Sequence, residues 1–286
     1  MFKSIQFQYD EELKREIDLR GLSYLTYKNY RSHLRRISEY FGKDLKSVTT
    51  EEAKDYLYHL KSDLHQHPQT INLCRAAFLF FHQSVLGIYV PPYAVPHHKF
   101  VYQLPDILPS EDIIAVLQGM ALKYRAILSL CYGSGLRISE AHAIEIGDID
   151  SKNMKVYVRY GKGSTSRYSI LSAYSLDCLR IYWKSFRPPG PKLFPKLDHP
   201  CDAKPTQYTQ KVFADHYRKL FPYSNKRITP HTLRHCFGSH LLDSGTDLRT
   251  IQILLGHKSI KSTSLYTQLS DYHFAKLVSP LDRGRA

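Results

Sequence analysis

Thr229-Pro230-His231-Thr232-Leu233-Arg234-His235 carries a strong helix-start signal. Thr229 is a good N-cap, and Pro230 suits the first helical turn, where a missing amide hydrogen costs nothing. In the helix this predicts over 229–244, His231, Arg234 and His235 share one polar face at i, i+3 and i+4. Leu233, Phe237 and Leu241 then turn toward the core. Two histidines four apart could hold zinc, but the Glu of H-E-x-x-H is absent and Arg234 between them repels a cation. A planar guanidinium beside imidazoles suits phosphate instead, because it offers paired donors to two oxygens. No metal site is expected.

Upstream, Gly133-Ser134-Gly135-Leu136-Arg137-Ile138-Ser139-Glu140 makes a sharp turn into a helix over 137–146. At that helix start the guanidinium of Arg137 and nearby backbone amides could both face an anion. Residues 154–160 alternate strictly, as do Arg167 to Leu171, around Gly161-Lys162-Gly163, which predicts a β-hairpin with Lys162 in its turn. Downstream come Leu254-Leu255-Gly256-His257-Lys258-Ser259 and Thr263-Ser264-Leu265-Tyr266-Thr267-Gln268. Further helices are predicted near 110–120 (capped by Ser110), 122–132, 173–186, 206–220, 247–255 and 270–278.

The first 87 residues read as helices alone. Tyr27, Tyr30, Leu34, Ile37 and Phe41 recur at helical steps, Thr49-x-x-Glu52 is a capping box, and a fourth helix runs from Thr70 through Val85 to Gly87. Residues 88–106 hold Pro91, Pro92, Pro96 and Pro105 and no period, so they read as an extended linker. The expected architecture is mainly α: an N-terminal helical bundle over 1–87, the linker over 88–106, and an α-rich C-terminal domain with a small β-hairpin over 107–286.

Charge points the same way without deciding anything. The chain of 286 residues has a formal net charge of +14; residues 1–106 hold 14 basic and 12 acidic groups, while residues 107–286 hold 26 and 14. Such a field suits a polyanion. No apolar run is long enough for a membrane span or a signal peptide. Five scattered cysteines (74, 131, 178, 201 and 236) with no C-x-x-C pair read as reduced thiols, and a cytoplasmic, nucleoid-associated location is expected.

Taken in order, Arg137, Lys162, His231 with Arg234, His257 and Tyr266 resemble the tyrosine recombinase (phage integrase) family, with His257 23 residues after Arg234 and Tyr266 nine after His257. The motifs are G-L-R-I-S-E, the G-K-G turn, H-T-L-R-H, L-L-G-H and Y-T-Q, and the likeness spans about 270 of the 286 residues. It implies an N-terminal core-binding (SAM-like) domain and a C-terminal catalytic domain that clamp DNA. It implies that Tyr266 attacks a scissile phosphate to form a 3′-phosphotyrosyl bond, with Arg137 and Arg234 holding the non-bridging oxygens. His231 would help take the tyrosine proton, His257 would donate to the phosphate, and Lys162 would protonate the leaving 5′-oxygen. Glu140 would orient Arg137, and His235 would be structural. The rival nucleophile Tyr272 lacks the Y-T-Q context.

Cofactors are expected to be none, since cationic side chains take the part of a metal and the phosphotyrosine conserves the bond energy that ATP would otherwise supply. DNA contacts are expected from Tyr27, Lys28, Arg31 and Arg35 on the second helix, and from Lys162 and Lys258. The partners implied are double-stranded DNA bearing specific recombination sites and copies of the chain, a dimer on each site and a homotetramer on two. The compact chain resembles Xer-type or transposon-borne recombinases. A DNA-binding regulator on a retired recombinase fold and a type IB topoisomerase are the alternatives.

Overall fold

The computed structural model describes residues 8–99, 105–159, 166–195, 205–257 and 263. The chain divides into two compact units, 1–102 and 103–286. It is mostly helical, with one three-stranded antiparallel sheet.

In the first unit α1 (Asp10–Leu19), α2 (Tyr24–Phe41), α3 (Thr50–Ser62) and α4 (Pro68–Phe80) enclose a core that includes Leu13, Ile17, Leu34, Ile37, Cys74 and Phe78. The Thr49 capping box forms as expected: Thr49 Oγ1 accepts from the Glu52 amide, and Glu52 returns a carboxylate oxygen to the Thr49 amide at 2.8 Å. The fourth helix starts at Pro68 rather than Thr70 and changes pitch at its end, where Phe81–Val85 form a π-helical turn. The segment expected as a linker does not leave the bundle at residue 88. Val90 and Val95 are buried in the first core, and the Asn72 side chain pairs with the His98 backbone in both directions at 2.9 Å. Proline content identified the absence of helix there, but two valines and an asparagine decide where the segment lies.

The second unit is built on α6 (Leu122–Gly133), where Ala126 to Cys131 are all buried, and on α10 (Pro230–Asp243), buried from Cys236 to Ser239. Helix segments buried on every side belong inside a domain; α5 (Ser110–Gly119) and α8 (Ala173–Phe186) pack on α6, and α9 (Pro205–Leu220) packs on α5. The short α7 (Ile138–Ala143) ends before the predicted 146, and a 3₁₀ turn follows at Ile146–Asp148. Ser110 is the first residue of α5, not its cap; Pro109 takes the cap position without a side-chain bond. The hairpin is β2 (Lys155–Val158) against β3 (Arg167–Ile170), with Val156 facing Ser169 and Val158 facing Arg167. A two-residue strand, β1 (Ile149–Asp150), joins its other edge and was not predicted. The helix α11 (Leu248–Leu255) packs on α10 and β3. The helix predicted near 270–278 lies outside the described residues.

Candidate active site

The start of α10 forms as its sequence suggests. Thr229 caps, its hydroxyl accepting from the Thr232 amide, and Pro230 occupies the first turn. Arg234, however, is not open to solvent on that face. Arg234 is 1% exposed, its guanidinium donating to the Gly135 carbonyl at 2.7 Å and to the Leu255 carbonyl at 2.6 Å. A buried guanidinium demands such acceptors. Arg234 thereby ties the G-S-G-L-R turn to the end of α11 just before Gly256-His257.

Both motif glycines are required by this close approach. Gly135 has φ +64°, and a Cβ there would lie 2.5 Å from the Phe237 ring. Gly256 also has φ +64°, and its Cβ would lie 2.8 Å from Arg167 Cδ. A side chain at either position would be strained in backbone and would displace a packed neighbour.

Glu140 is the centre of the charge cluster. Its buried carboxylate accepts from the Arg137 amide at 2.8 Å and from Arg137 Nη1 at 2.7 Å. It also accepts from Arg167 Nη1 and Nη2 at 3.1 and 2.8 Å, and Arg234 Nη1 stands 3.6 Å away. Burial pushes its pKa up, but the hydrogen bonds and charge of Arg167 and then the Arg137 contacts outweigh it and hold the carboxyl at about 2. The Arg137 amide is thus taken up by Glu140. The Arg137 side chain remains a quarter exposed, the most open of the three guanidinium groups at this carboxylate.

Three histidines stand around the cluster, and each has a lowered pKa. His231 is the most open of them; burial of its surroundings, then Arg234 and Arg137, lower it. Its ring meets His235 edge-on, with centroids 4.5 Å apart. Burial, then His231, Arg234 and His257, bring His235 down to about 3. Burial, then Arg234, Arg137 and Arg167, bring His257 down to about 4. Its Nδ1 lies 3.0 Å from Thr263 Oγ1, and its carbonyl accepts from the Gln252 side chain. All three imidazoles are therefore neutral near pH 7.

Arg137, Arg234, His231 and His257, with Glu140 and His235, are thus brought together from three stretches of chain. Lys162, Lys258 and Tyr266 lie outside the described residues. On α2, Tyr27 is 8% exposed and sits in the first core, its hydroxyl donating to Asp10 at 2.6 Å. Most of its ring is therefore taken up by that core. Arg31 pairs with the same Asp10 oxygen, Arg35 reaches Glu39 at 3.4 Å, and Lys28 lies over the Tyr24 ring.

Sequence reasoning missed Arg167. The alternation of β3 predicts a strand but not its sides: the inward positions are Arg167 and Ser169, while Tyr168 (60% exposed) and Ile170 face out. That inversion was the available signal: an arginine on the buried side of a strand needs an acid, and Glu140 was already in view.

Residues 109–273 match the Phage integrase family, and residues 11–91 match the Phage integrase N-terminal SAM-like domain. The chain belongs to the phage integrase family of tyrosine recombinases, enzymes that cleave and rejoin DNA strands in site-specific recombination. Tyrosine recombinase XerA of Thermococcus kodakarensis is 31% identical over 276 residues, spanning 93% of this chain and 92% of its own. A Sinorhizobium fredii protein named as an integrase/recombinase, y4qK, is 35% identical over 280 residues, 95% of this chain and 88% of its own. The solved Tn1549 transposon integrase in complex with transposon right-end DNA shares the fold with a TM-score of 0.68 at 20% identity, over 96% of both chains.

Proposed function

We propose that Arg137, Lys162, His231, Arg234, His257 and Tyr266 are the catalytic set of this recombinase. The observation that carries this reading is the convergence of Arg137 and Arg234 on one buried carboxylate, ringed by neutral histidines. The Tyr266 oxygen attacks the scissile phosphorus, its proton passing to His231; the P–O3′ bond stays and the P–O5′ bond breaks. Lys162 gives its proton to the departing 5′-oxygen. Arg137 and Arg234 hold the non-bridging oxygens as charge gathers on them. A guanidinium has five N–H donors, so one planar group can serve backbone carbonyls and a phosphate oxygen together.

The histidine states fit these roles. A neutral His231 accepts a proton, which an imidazolium does not. If the Thr263 hydroxyl donates to Nδ1 of His257, the ring proton is on Nε2, the tautomer that donates to a phosphate oxygen. Glu140 holds Arg137, and His235 packs behind His231.

Double-stranded DNA with specific recombination sites is the substrate, bound by a dimer on each site and by a homotetramer on two. Lys28, Arg31 and Arg35 contact the backbone from the N-terminal domain (1–87), which a segment over 88–106 joins to the catalytic domain (107–286), where Lys162 and Lys258 contact it. DNA binding is steeply salt-dependent, as phosphate neutralisation requires.

The test is a nicked suicide duplex carrying the site and its flanking repeats. Wild-type protein forms an SDS-resistant covalent adduct, and Tyr266→Phe binds the duplex but forms none. Binding without an adduct in wild type points to a DNA-binding regulator, and relaxation of arbitrary plasmids points to a topoisomerase.

A further inference from the structure

Arg167, the first residue of β3, does not face the solvent as a hairpin arginine usually does. Its side chain is 7% exposed and is held on two sides. Nε donates to the Leu254 carbonyl at 2.8 Å, in the turn before His257, while Nη1 and Nη2 straddle both oxygens of Glu140. The same carboxylate takes the amide and Nη1 of Arg137. A planar fork on a carboxylate fixes its plane and braces it against the two donors of Arg137. With the plane fixed by Arg167, Oε1 presents one direction to Arg137.

The charges matter as much as the geometry. Three guanidinium groups meet one carboxylate here. If Arg167 were absent, the whole negative charge of Glu140 would fall on Arg137 and Arg234, the two groups that should spend their charge on phosphate.

We infer that Arg167 is a positioning residue for recombination: it fixes and neutralises Glu140, so that Arg137 keeps its aim and its charge for the scissile phosphate. This rests on the reading of Arg137 as a phosphate clamp. Arg167 touches no reacting atom; it acts through Glu140. Its bond to Leu254 holds the turn bearing His257 to the same support, and Gly256 lacks a side chain where Arg167 passes.

The test is single-turnover cleavage of the nicked suicide duplex, with either the natural phosphodiester or a methylphosphonate at the scissile position. The methylphosphonate replaces a charged oxygen by a neutral methyl group, so less charge needs holding. Arg167→Met is expected to form the adduct about 100-fold more slowly on the phosphodiester, the cost of a displaced catalytic group. Its DNA affinity should stay unchanged, and the deficit should shrink on the methylphosphonate, in parallel with Arg137→Ala. Arg167→Lys, which keeps the charge without the fork, should lie between.

Where Arg167→Met fails to fold, Glu140→Gln combined with Arg167→Met removes the unpaired buried carboxylate. That double variant should fold and be no slower than Glu140→Gln alone. Cleavage at the wild-type rate by a folded Arg167→Met overturns the proposal. So does an equal deficit on both linkages, or an additive deficit in the double variant. An Arg137→Ala variant that cleaves like wild type is distinguishable from all of these: it removes the clamp reading, and this proposal with it.

Discussion

Arg234 donates to the main-chain carbonyl of Gly135 across 99 residues of sequence, at 2.7 Å and out of contact with water. One side chain thus closes the turn that carries Arg137 onto the helix that carries His231. The same guanidinium closes the end of α11 through Leu255. Geometry that the reaction needs is therefore also geometry that the fold needs.

Arg234 substitutions should therefore fail twice. Arg234→Ala leaves two carbonyls unserved and Glu140 with one positive neighbour fewer, and it should lose about 3 kcal/mol of stability, as broken buried charge networks do. Arg234→Lys keeps the charge but cannot reach both carbonyls, and it should recover only part of this. Urea unfolding of the two variants measures the loss. Arg137→Ala should separate the effects: a smaller stability loss of about 2 kcal/mol, from the charged hydrogen bond to buried Glu140, but a barrier to adduct formation raised by about 3–4 kcal/mol, comparable to losing an oxyanion donor.

The glycine pair gives a second expectation. Gly135 and Gly21 have nearly the same backbone, φ +64° and +60°, but an added Cβ meets Phe237 at the first and nothing within 4 Å at the second. Gly21→Ala should cost about 1 kcal/mol, the left-handed strain alone. Gly135→Ala should cost that plus an overpacking penalty of about 1–3 kcal/mol. Equal melting temperatures for the two variants would show that Phe237 yields freely.

What could be read from the sequence, and what could not, divides along physical lines. Local chemistry was legible: the Thr229-Pro230 helix start, the Thr49 capping box and the alternation of the hairpin each depend on neighbours within a few residues. The i, i+3 spacing puts Arg234 on the face of α10 that carries His231, but a charged residue on a helix reads as solvated. Its burial depends on carbonyls 99 and 21 residues away. Tyr27 belongs to an apolar stripe and also to a basic, aromatic face; the stripe places its ring in the core, where Asp10 takes its hydroxyl. Arg167 was visible as a strand residue and became a support of the site only once Glu140 and Leu254 stood beside it.

The two roles of α2 residues can be separated. Tyr27→Phe removes the bond to Asp10 and should cost about 1 kcal/mol of stability, the usual value of one hydrogen bond, with no change in the salt dependence of DNA binding. Arg35→Ala should leave stability nearly unchanged, since its pair with Glu39 is a surface one. It should lower the slope of log affinity against log salt by about 1 if it neutralises a phosphate. Fluorescence anisotropy at several salt concentrations gives both slopes.

The histidines make stability depend on pH in a stated direction. His235 and His257 have folded pKa values of about 3 and about 4 against an ordinary 6.5, and His231 is lowered as well. Between those limits the unfolded chain binds more protons than the folded one, so stability rises with pH there. It should be fully present above pH 6.5 and fall progressively as the pH drops toward 4. Below about 4.5, protonation of Glu140, held at about 2 in the fold, should add to the loss. Urea midpoints from pH 8 to pH 4 measure the profile, and His235→Gln should flatten its acid side. Adduct formation should keep its rate down to a pH below 6.5, because His231 stays neutral there while an ordinary histidine is already half protonated. A rate that halves at or above pH 6.5, and that His231→Gln renders pH-independent, would contradict the neutral imidazole assigned to this position.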